Sequence, residues 1–398
     1  MSKDIEWKLN TMPKTDDKNL SLMSVEEVKK AQNFHKSFPQ YEKTPLVNLK
    51  QMAAYLGLSE IHIKDESYRF GLNAFKVLGG SYAMGRYIAD ELKKDIKDVD
   101  YNYLTSDKLK KEFGQATFFS ATDGNHGRGV AWSANKLGQK SVIFMPKGST
   151  ETRLENIRKE GATATIEEFN YDDCVRKAAS EAEKVEHGVV VQDTAWEGYE
   201  KIPAWIMEGY GTMALEADED MGKRPTHIFV QAGVGSLAGG MVGYFANKYK
   251  DNPPIMVVVE AAAANCLYQG AVANDGKPRI VTGDMVTIMA GLACGEPNIT
   301  SWDILKNHVT CFVSAADKIA ALGMRMLGAP IKGDTPIISG ESGAVPFGVL
   351  ATIMKDDNYK ELRDALKLDK NSNVLLFSTE GNTDPERYEN IVWKGLEK

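Results

Sequence analysis

Two periods organise the apolar positions of this chain, and from about residue 116 they take turns. Residues 116–120 form an apolar run of strand length, and 127–137 carry the three-and-four spacing of a helix. Residues 141–145 are again a strand, closed by Pro146, and 151–160 a helix. The segments 162–166, 171–185 and 189–192 repeat the cycle, and 227–230, 256–259, 309–313 and 374–377 continue it as strands. Strand, helix, strand at this spacing requires right-handed crossovers. The pattern therefore predicts an α/β fold whose mostly parallel sheet is covered by helices on both faces.

The N-terminal part is less regular. Residues 1–40 are polar and weakly periodic, apart from an amphipathic helix at 24–34 that Ser24 and Glu27 open as a capping box. A Thr44-Pro45-Leu46 turn leads to a short alternating strand at 61–64, and a helix runs from Ser81 to about Lys93. His62, inside that strand, reads as structural. Residues 91–112 are dense in Lys, Asp and Glu; with both signs mixed, they read as a solvated connection on the outside of the fold.

Composition narrows the function. A chain of 398 residues with 43% hydrophobic and 26% charged positions is an ordinary globular protein, long enough for two domains. Its net charge of −7, without a concentrated basic patch, argues against a nucleic-acid surface. The apolar run 228–246 holds five glycines, which suits strand, loop and helix better than a membrane span. The N-terminus lacks the apolar segment of a signal peptide, and reduced thiols in the cytoplasm are the expectation. Four cysteines show no C-x-x-C spacing, so no zinc or dithiol motif is indicated; a Cys266–Cys294 bridge is conceivable, since both lie in glycine-containing loops.

Four stretches carry candidate chemistry. In Gly71-Leu72-Asn73-Ala74-Phe75-Lys76-Val77-Leu78-Gly79-Gly80, one lysine follows small and apolar residues and precedes a Gly-Gly pair. A lysine held against apolar surface becomes an amine nucleophile; a solvated lysine at a helix start is the plainer reading. Ser120-Ala121-Thr122-Asp123-Gly124-Asn125-His126-Gly127 lies between strand and helix, where α/β enzymes hold ligands and where backbone N–H groups suit a carboxylate. Gln231-Ala232-Gly233-Val234-Gly235-Ser236-Leu237 joins a strand to a helix as an anion cradle. The same loop, with Glu260 ending the next strand, also has the look of a dinucleotide fingerprint. The last stretch, Ser378-Thr379-Glu380-Gly381, offers hydroxyls after a strand, or a plain turn.

In this order, the four resemble the fold type II family of pyridoxal-phosphate enzymes, which includes threonine dehydratase, serine dehydratase and the tryptophan synthase β chain. The likeness covers roughly residues 40–395. It favours the phosphate reading of the glycine loop over a nicotinamide-dependent dehydrogenase. Further stretches sharpen it: Lys64-Asp65-Glu66-Ser67, Gln192-Asp193-Thr194-Ala195-Trp196, Ala290-Gly291-Leu292-Ala293-Cys294-Gly295-Glu296-Pro297 and Ser339-Gly340-Glu341-Ser342-Gly343. With these the chain is similar to the family's ammonia-lyases that act on 2,3-diaminopropionate. The resemblance implies two open, twisted, mostly parallel sheets flanked by helices, a large domain of residues 1–83 and 189–398, a small one of 84–188, and a homodimer. It implies elimination of both D- and L-diaminopropionate to pyruvate and two ammonia, with serine or threonine dehydration as the alternative on the same fold.

It also implies roles. Pyridoxal phosphate would be attached to Lys76, its phosphate held by Gly233, Val234, Gly235, Ser236 and Leu237, its ring oxygen by Asn125, and its ring nitrogen by Thr379 or, on the other alignment, Ser378. A neutral hydroxyl there, unlike a carboxylate, would not keep that nitrogen protonated. The substrate carboxylate would lie on Thr122, Asn125 and His126. Lys76 would take the α-proton of the L isomer. Asp123 stands where the family's dehydratases usually carry a hydroxyl residue and would serve the D isomer. A carboxylate at Asp123 also suits a substrate that brings two amines, and Asp193 is the second acid that the resemblance places at this site. No metal is implied.

Overall fold

A computed structural model of the chain describes residues 4–122 and 124–397, the side chain of residue 172 excepted. Its strands are β1 Ile5–Leu9, β2 Leu46–Asn48, β3 Glu60–Asp65, β4 Thr117–Ala121, β5 Lys140–Met145, β6 Thr163–Ile166, β7 Gly188–Val190, β8 His227–Gln231, β9 Ile255–Ala261, β10 Cys311–Ala315 and β11 Asn373–Ser378. They form a seven-stranded sheet of order β1-β10-β9-β8-β11-β3-β2 and a four-stranded sheet of order β6-β5-β4-β7. The smaller sheet is parallel throughout. The larger is parallel from β10 to β3, with β1 and β2 antiparallel on its two edges. In β4, β8 and β10 every residue is buried, as expected of strands covered on both faces.

The chain clusters into two compact units. The first holds residues up to Val25, Lys43–Phe75 and everything from Met213; the second holds Glu26–Glu42 and Lys76–Thr212. The larger sheet lies in the first unit, packed into a core that includes Ile61, Ile63, Val257, Val313, Phe347 and Leu376. In the second, helix Tyr171–Ala182 lays Cys174, Ala178 and Ala182 on Phe119 and Phe144 of the smaller sheet.

The first unit also buries a neutral set of four charges. Arg69 Nε meets Glu66 Oε2 at 2.8 Å, and its Nη2 meets Glu216 Oε2 at 2.7 Å. Lys64 Nζ reaches the same Glu216 oxygen at 2.7 Å and donates to the Thr44 carbonyl at 2.7 Å. All four charged side chains are fully buried. Such a set persists only when its members satisfy one another.

Two segments differ from the sequence expectation. Ile5, Trp7 and Leu9 alternate over so short a run that β1 is hidden in the polar N-terminus, yet it pairs along the whole of β10. Residues 91–112 are no mere solvated connection. Asp95, Asp100 and Ser106 cap three short helical turns that bury Ile96, Leu104 and Leu109. Among the described residues, no helix is long and apolar enough to cross a membrane.

Candidate active site

In the second unit, helix Val77–Glu91 starts directly after Lys76, whose own backbone is already helical. Lys76 Nζ is ion-paired with Asp193 Oδ2. Asp193, just beyond β7, is buried. Burial opposes its ionisation, but the Lys76 ammonium and His126 outweigh that and hold its carboxyl down to about 2. The Tyr210 hydroxyl, on helix Lys201–Met221, donates to the same oxygen at 3.5 Å, and burial pushes that phenol upward, so it stays a donor. The lysine thus has a carboxylate partner in place of the apolar wall that the sequence suggested.

The loop after β4 is shaped by Thr122, whose Oγ1 accepts from the N–H of Gly124 at 3.0 Å and of Gly127 at 3.2 Å. That bend delivers Asn125 as the first residue of helix Asn125–Lys136. His126 is buried, and its Nε2 donates to the Val191 carbonyl at 2.8 Å. Its Nδ1 is left as an acceptor with no hydrogen-bond partner among the described residues. Burial lowers its pKa, Lys76 adds to this and Asp193 opposes it, so the ring is neutral. Asp123 lies outside the described residues. One turn along the helix, a Cβ on Gly129 would come within 2.9 Å of the Val77 nitrogen and 3.0 Å of its Cα. Two helix backbones nearly touch there, and the contact fixes where Lys76 sits.

In the first unit, β8 ends at Gln231 and turns through Ala232, Gly233, Val234 and Gly235 into helix Ser236–Lys248. Gly235 has φ +104°, and a Cβ on it would meet Ser301 Oγ at 2.8 Å, so the position excludes a side chain twice over. Fully buried Asn298 braces the loop. Its N–H donates to the Val234 carbonyl at 2.8 Å, its Nδ2 to Ser236 Oγ at 2.9 Å, and its Oδ1 accepts from Ser301 N at 3.0 Å. The opening N–H groups of a helix lack intrahelical acceptors, and the helix dipole favours an anion there. The rival use of this loop needs a free Glu260 carboxylate. Instead Glu260 is buried and accepts from the N–H groups of Leu267 at 2.8 Å and Tyr268 at 2.6 Å. Burial pushes it up to about 8 against those two bonds. It is a structural brace for helix Cys266–Ala273. Cys266 and Cys294 are not joined in a disulfide.

Beside β8 runs β11, and after it comes Thr379. Gln231 Nε2 donates to the Phe377 carbonyl at 3.1 Å and to Thr379 Oγ1 at 2.8 Å. Thr379 donates to Glu380 Oε2 at 2.5 Å, and Glu380 Oε1 accepts from Gly343 N at 2.8 Å. Ser378 donates elsewhere, to Ser339 Oγ at 2.8 Å. Gln231 Oε1 is buried with no hydrogen-bond partner among the described residues. Phe75 is tied to this corner through its N–H, which donates to the Thr379 carbonyl at 3.0 Å. Sequence reasoning did not find Tyr210, Asn298, Gln231 or Glu380. Asn298 had a signal, an N-cap residue three before Ser301; Tyr210 and Gln231 reach their partners from distant segments, and Glu380, although next to Thr379, finds its other partner at Gly343.

The residues present fit pyridoxal phosphate. One unit offers a partly exposed lysine amine beside a carboxylate, the other a helix-start cradle that a Cβ would fill. The family model for the pyridoxal-phosphate dependent enzymes matches residues 38–380. A diaminopropionate ammonia-lyase of Salmonella typhimurium is 55% identical over 367 residues, 91% of each chain. The crystal structure of the selenomethionine-incorporated holo diaminopropionate ammonia-lyase from Escherichia coli is similar with a TM-score of 0.89 and 45% identity, covering 100% of this chain and 98% of that one. The same enzyme in complex with D-serine gives a TM-score of 0.88 and 44% identity over 99% and 98%. The chain belongs to the pyridoxal-phosphate-dependent enzymes of fold type II and, within them, to the diaminopropionate ammonia-lyases.

Proposed function

We propose that the chain eliminates ammonia from both D- and L-2,3-diaminopropionate, yielding pyruvate and a second ammonia. The observation that carries this is Asp193, a buried carboxylate kept ionised next to Lys76. Such a group suits a substrate that brings a second ammonium, which serine and threonine lack. The D-serine complex of the E. coli relative supports acceptance of a D-configured amino acid.

Bound pyridoxal phosphate supplies the electron sink for the pair left when the α-proton departs. Lys76 would carry the cofactor, and its amine, when free, would take the α-proton of the L isomer. Gly233, Val234, Gly235, Ser236 and Leu237 would hold the phosphate, Asn125 the ring oxygen and Thr379 the ring nitrogen. Asp193, freed from Lys76, receives the substrate's β-ammonium, while Tyr210 keeps its carboxylate oriented. Thr122 and Asn125, at the helix start, receive the substrate carboxylate. His126 lines the same loop and offers an acceptor at Nδ1, matched to an ammonium hydrogen. Asp123 takes the α-proton of the D isomer. We extend the reading to a cytoplasmic homodimer of 43.9 kDa chains, which sedimentation would report directly.

Steady-state kinetics test the assignment. Lys76→Ala is expected to abolish turnover of the L isomer. Asp123→Asn is expected to lose D-isomer activity by roughly two to four orders of magnitude, with a smaller loss on L. Asp193→Asn should lower kcat/KM for L-diaminopropionate by about 30-fold or more, the effect of leaving a buried charge unpaired, and should affect L-serine less. Equal losses on both substrates would remove the second-ammonium argument.

A further inference from the structure

Arg86, on helix Val77–Glu91, uses only part of its hydrogen-bonding capacity. Its Nη1 donates to Glu208 Oε2 at 2.8 Å and to the Tyr82 hydroxyl at 3.2 Å. Its Nε and Nη2 form the edge that grips a carboxylate through two parallel hydrogen bonds. Neither atom has a hydrogen-bond partner among the described residues. The guanidinium packs against two rings, 5.7 Å from the centroid of Tyr82 and 5.2 Å from that of Trp205. Burial opposes the charge of Glu208 and pushes its carboxyl up to about 7. In either form an oxygen of Glu208 accepts from Nη1, and near neutrality it compensates the guanidinium only in part.

The Arg86 side chain is 25% exposed and lines a cavity of about 280 Å³ that lies wholly in the second unit. Helix Val25–Lys36 contributes Glu27 and Lys30 to it, and the chain after helix Val77–Glu91 contributes Lys94 and Asp95. Asp90 completes three anions against three cations, and buried Ala89 and Ile96 supply apolar lining. Lys30 meets Glu27 at 2.6 Å and Lys94 meets Glu112 at 3.1 Å. Asp90 meets Lys201 at 2.7 Å and Asp95 meets Lys97 at 3.2 Å. Arg86 and Asp90 stand four residues apart on one helix face, about 6 Å along its axis. Among the described residues they are nevertheless not paired with each other. An open guanidinium edge at one place and a carboxylate one helical turn away suit a molecule that carries a carboxylate and an ammonium on the same carbon.

We propose that this cavity is a binding site for a small α-amino acid, with its carboxylate on the Nε–Nη2 edge of Arg86 and its ammonium against Asp90 and Asp95. A simple anion would gain the guanidinium but face three carboxylates in the lining. A simple cation would gain the carboxylates but face Lys30 and Lys94. The zwitterion meets both signs at once. The site is distinct from the reaction centre, since Arg86 follows Lys76 by about 15 Å along the helix axis.

The probe is N,N-dimethylglycine, whose tertiary nitrogen cannot condense with the cofactor's aldehyde, titrated into the holoenzyme by calorimetry. Saturable binding at one site per chain is expected, with acetate and dimethylammonium at least tenfold weaker. Arg86→Lys keeps the charge and loses the two-bond edge, and is expected to weaken N,N-dimethylglycine at least tenfold. Asp90→Asn combined with Asp95→Asn is expected to bring its affinity down to that of acetate. Both carboxylates are largely exposed, and asparagine keeps the cap that Asp95 provides, so this pair decides the matter even if Arg86→Lys fails to fold. Absence of saturable heat with the wild type overturns the proposal, and so does acetate binding as tightly as N,N-dimethylglycine. Affinity unchanged in either folded variant also overturns it, because the heat then comes from another site, the reaction centre included.

Discussion

Asp193 shows how one side chain sets both the chemistry and the acid limit of the protein. An unfolded aspartate titrates near about 3.9, whereas here the carboxyl is held at about 2. A depressed folded value contributes stability that is complete above the unfolded value and is lost as pH falls through the folded one. The contribution, on the order of 2 kcal/mol, should therefore disappear between about pH 4 and about pH 2. Asp193→Asn should make acid unfolding shallower in that window, as followed by circular dichroism. The slope should not vanish, because Glu216, between Arg69 and Lys64, is also held at about 2. At this scale the sequence was informative where the chemistry is local. Lys76, Asn125 and the glycines of 233–237 sit in contiguous motifs with small residues around them. Tyr210 and Gln231 carry no such mark, because a tyrosine on a helix and a glutamine ending a strand become informative only when folding brings Asp193 and Thr379 to them.

Elements place these side chains through backbone contact. Helix Asn125–Lys136 lies so close to the start of helix Val77–Glu91 that Gly129→Ala would drive a methyl group against Val77 backbone, which cannot swing aside. Overpacking of this kind costs about 1–3 kcal/mol. The displacement falls next to Lys76, so kcat is expected to drop by more than the loss of folded protein explains. Thermal unfolding and kinetics on one preparation separate the two. Gly235→Ala strains a left-handed residue and crowds Ser301, and about 1–2 kcal/mol is expected from the backbone alone. Roughly tenfold weaker cofactor binding should appear in a fluorescence titration, while the apo protein remains folded. The alternation of strands and helices was readable from periodicity, since buried parallel strands are apolar runs. β1 escaped because three alternating residues are too few to stand out, and the folded insertion of 91–112 escaped because single buried residues such as Leu104 are outnumbered by charges.

At the scale of the molecule, the buried charges of the first unit join segments that are far apart in the chain. Removing one member strands the others: Arg69→Met leaves Glu66 and Glu216 short of a cation and should cost about 3–5 kcal/mol in denaturant unfolding. The fold class was legible because crossovers leave few alternatives. The strand order was not, and it matters most in one place. β11, made last, inserts between β8 and β3, and most of the chain separates it from β3. On a ribosome, β3 emerges early and pairs with β2, then waits with its other edge open until the sequence is nearly complete. The second unit, almost contiguous from Lys76 to Thr212, faces no such delay. Synthesis therefore finishes before the larger sheet can close, and a nascent chain cut short before Asn373 would keep two apolar strand edges exposed to any neighbour able to pair with them.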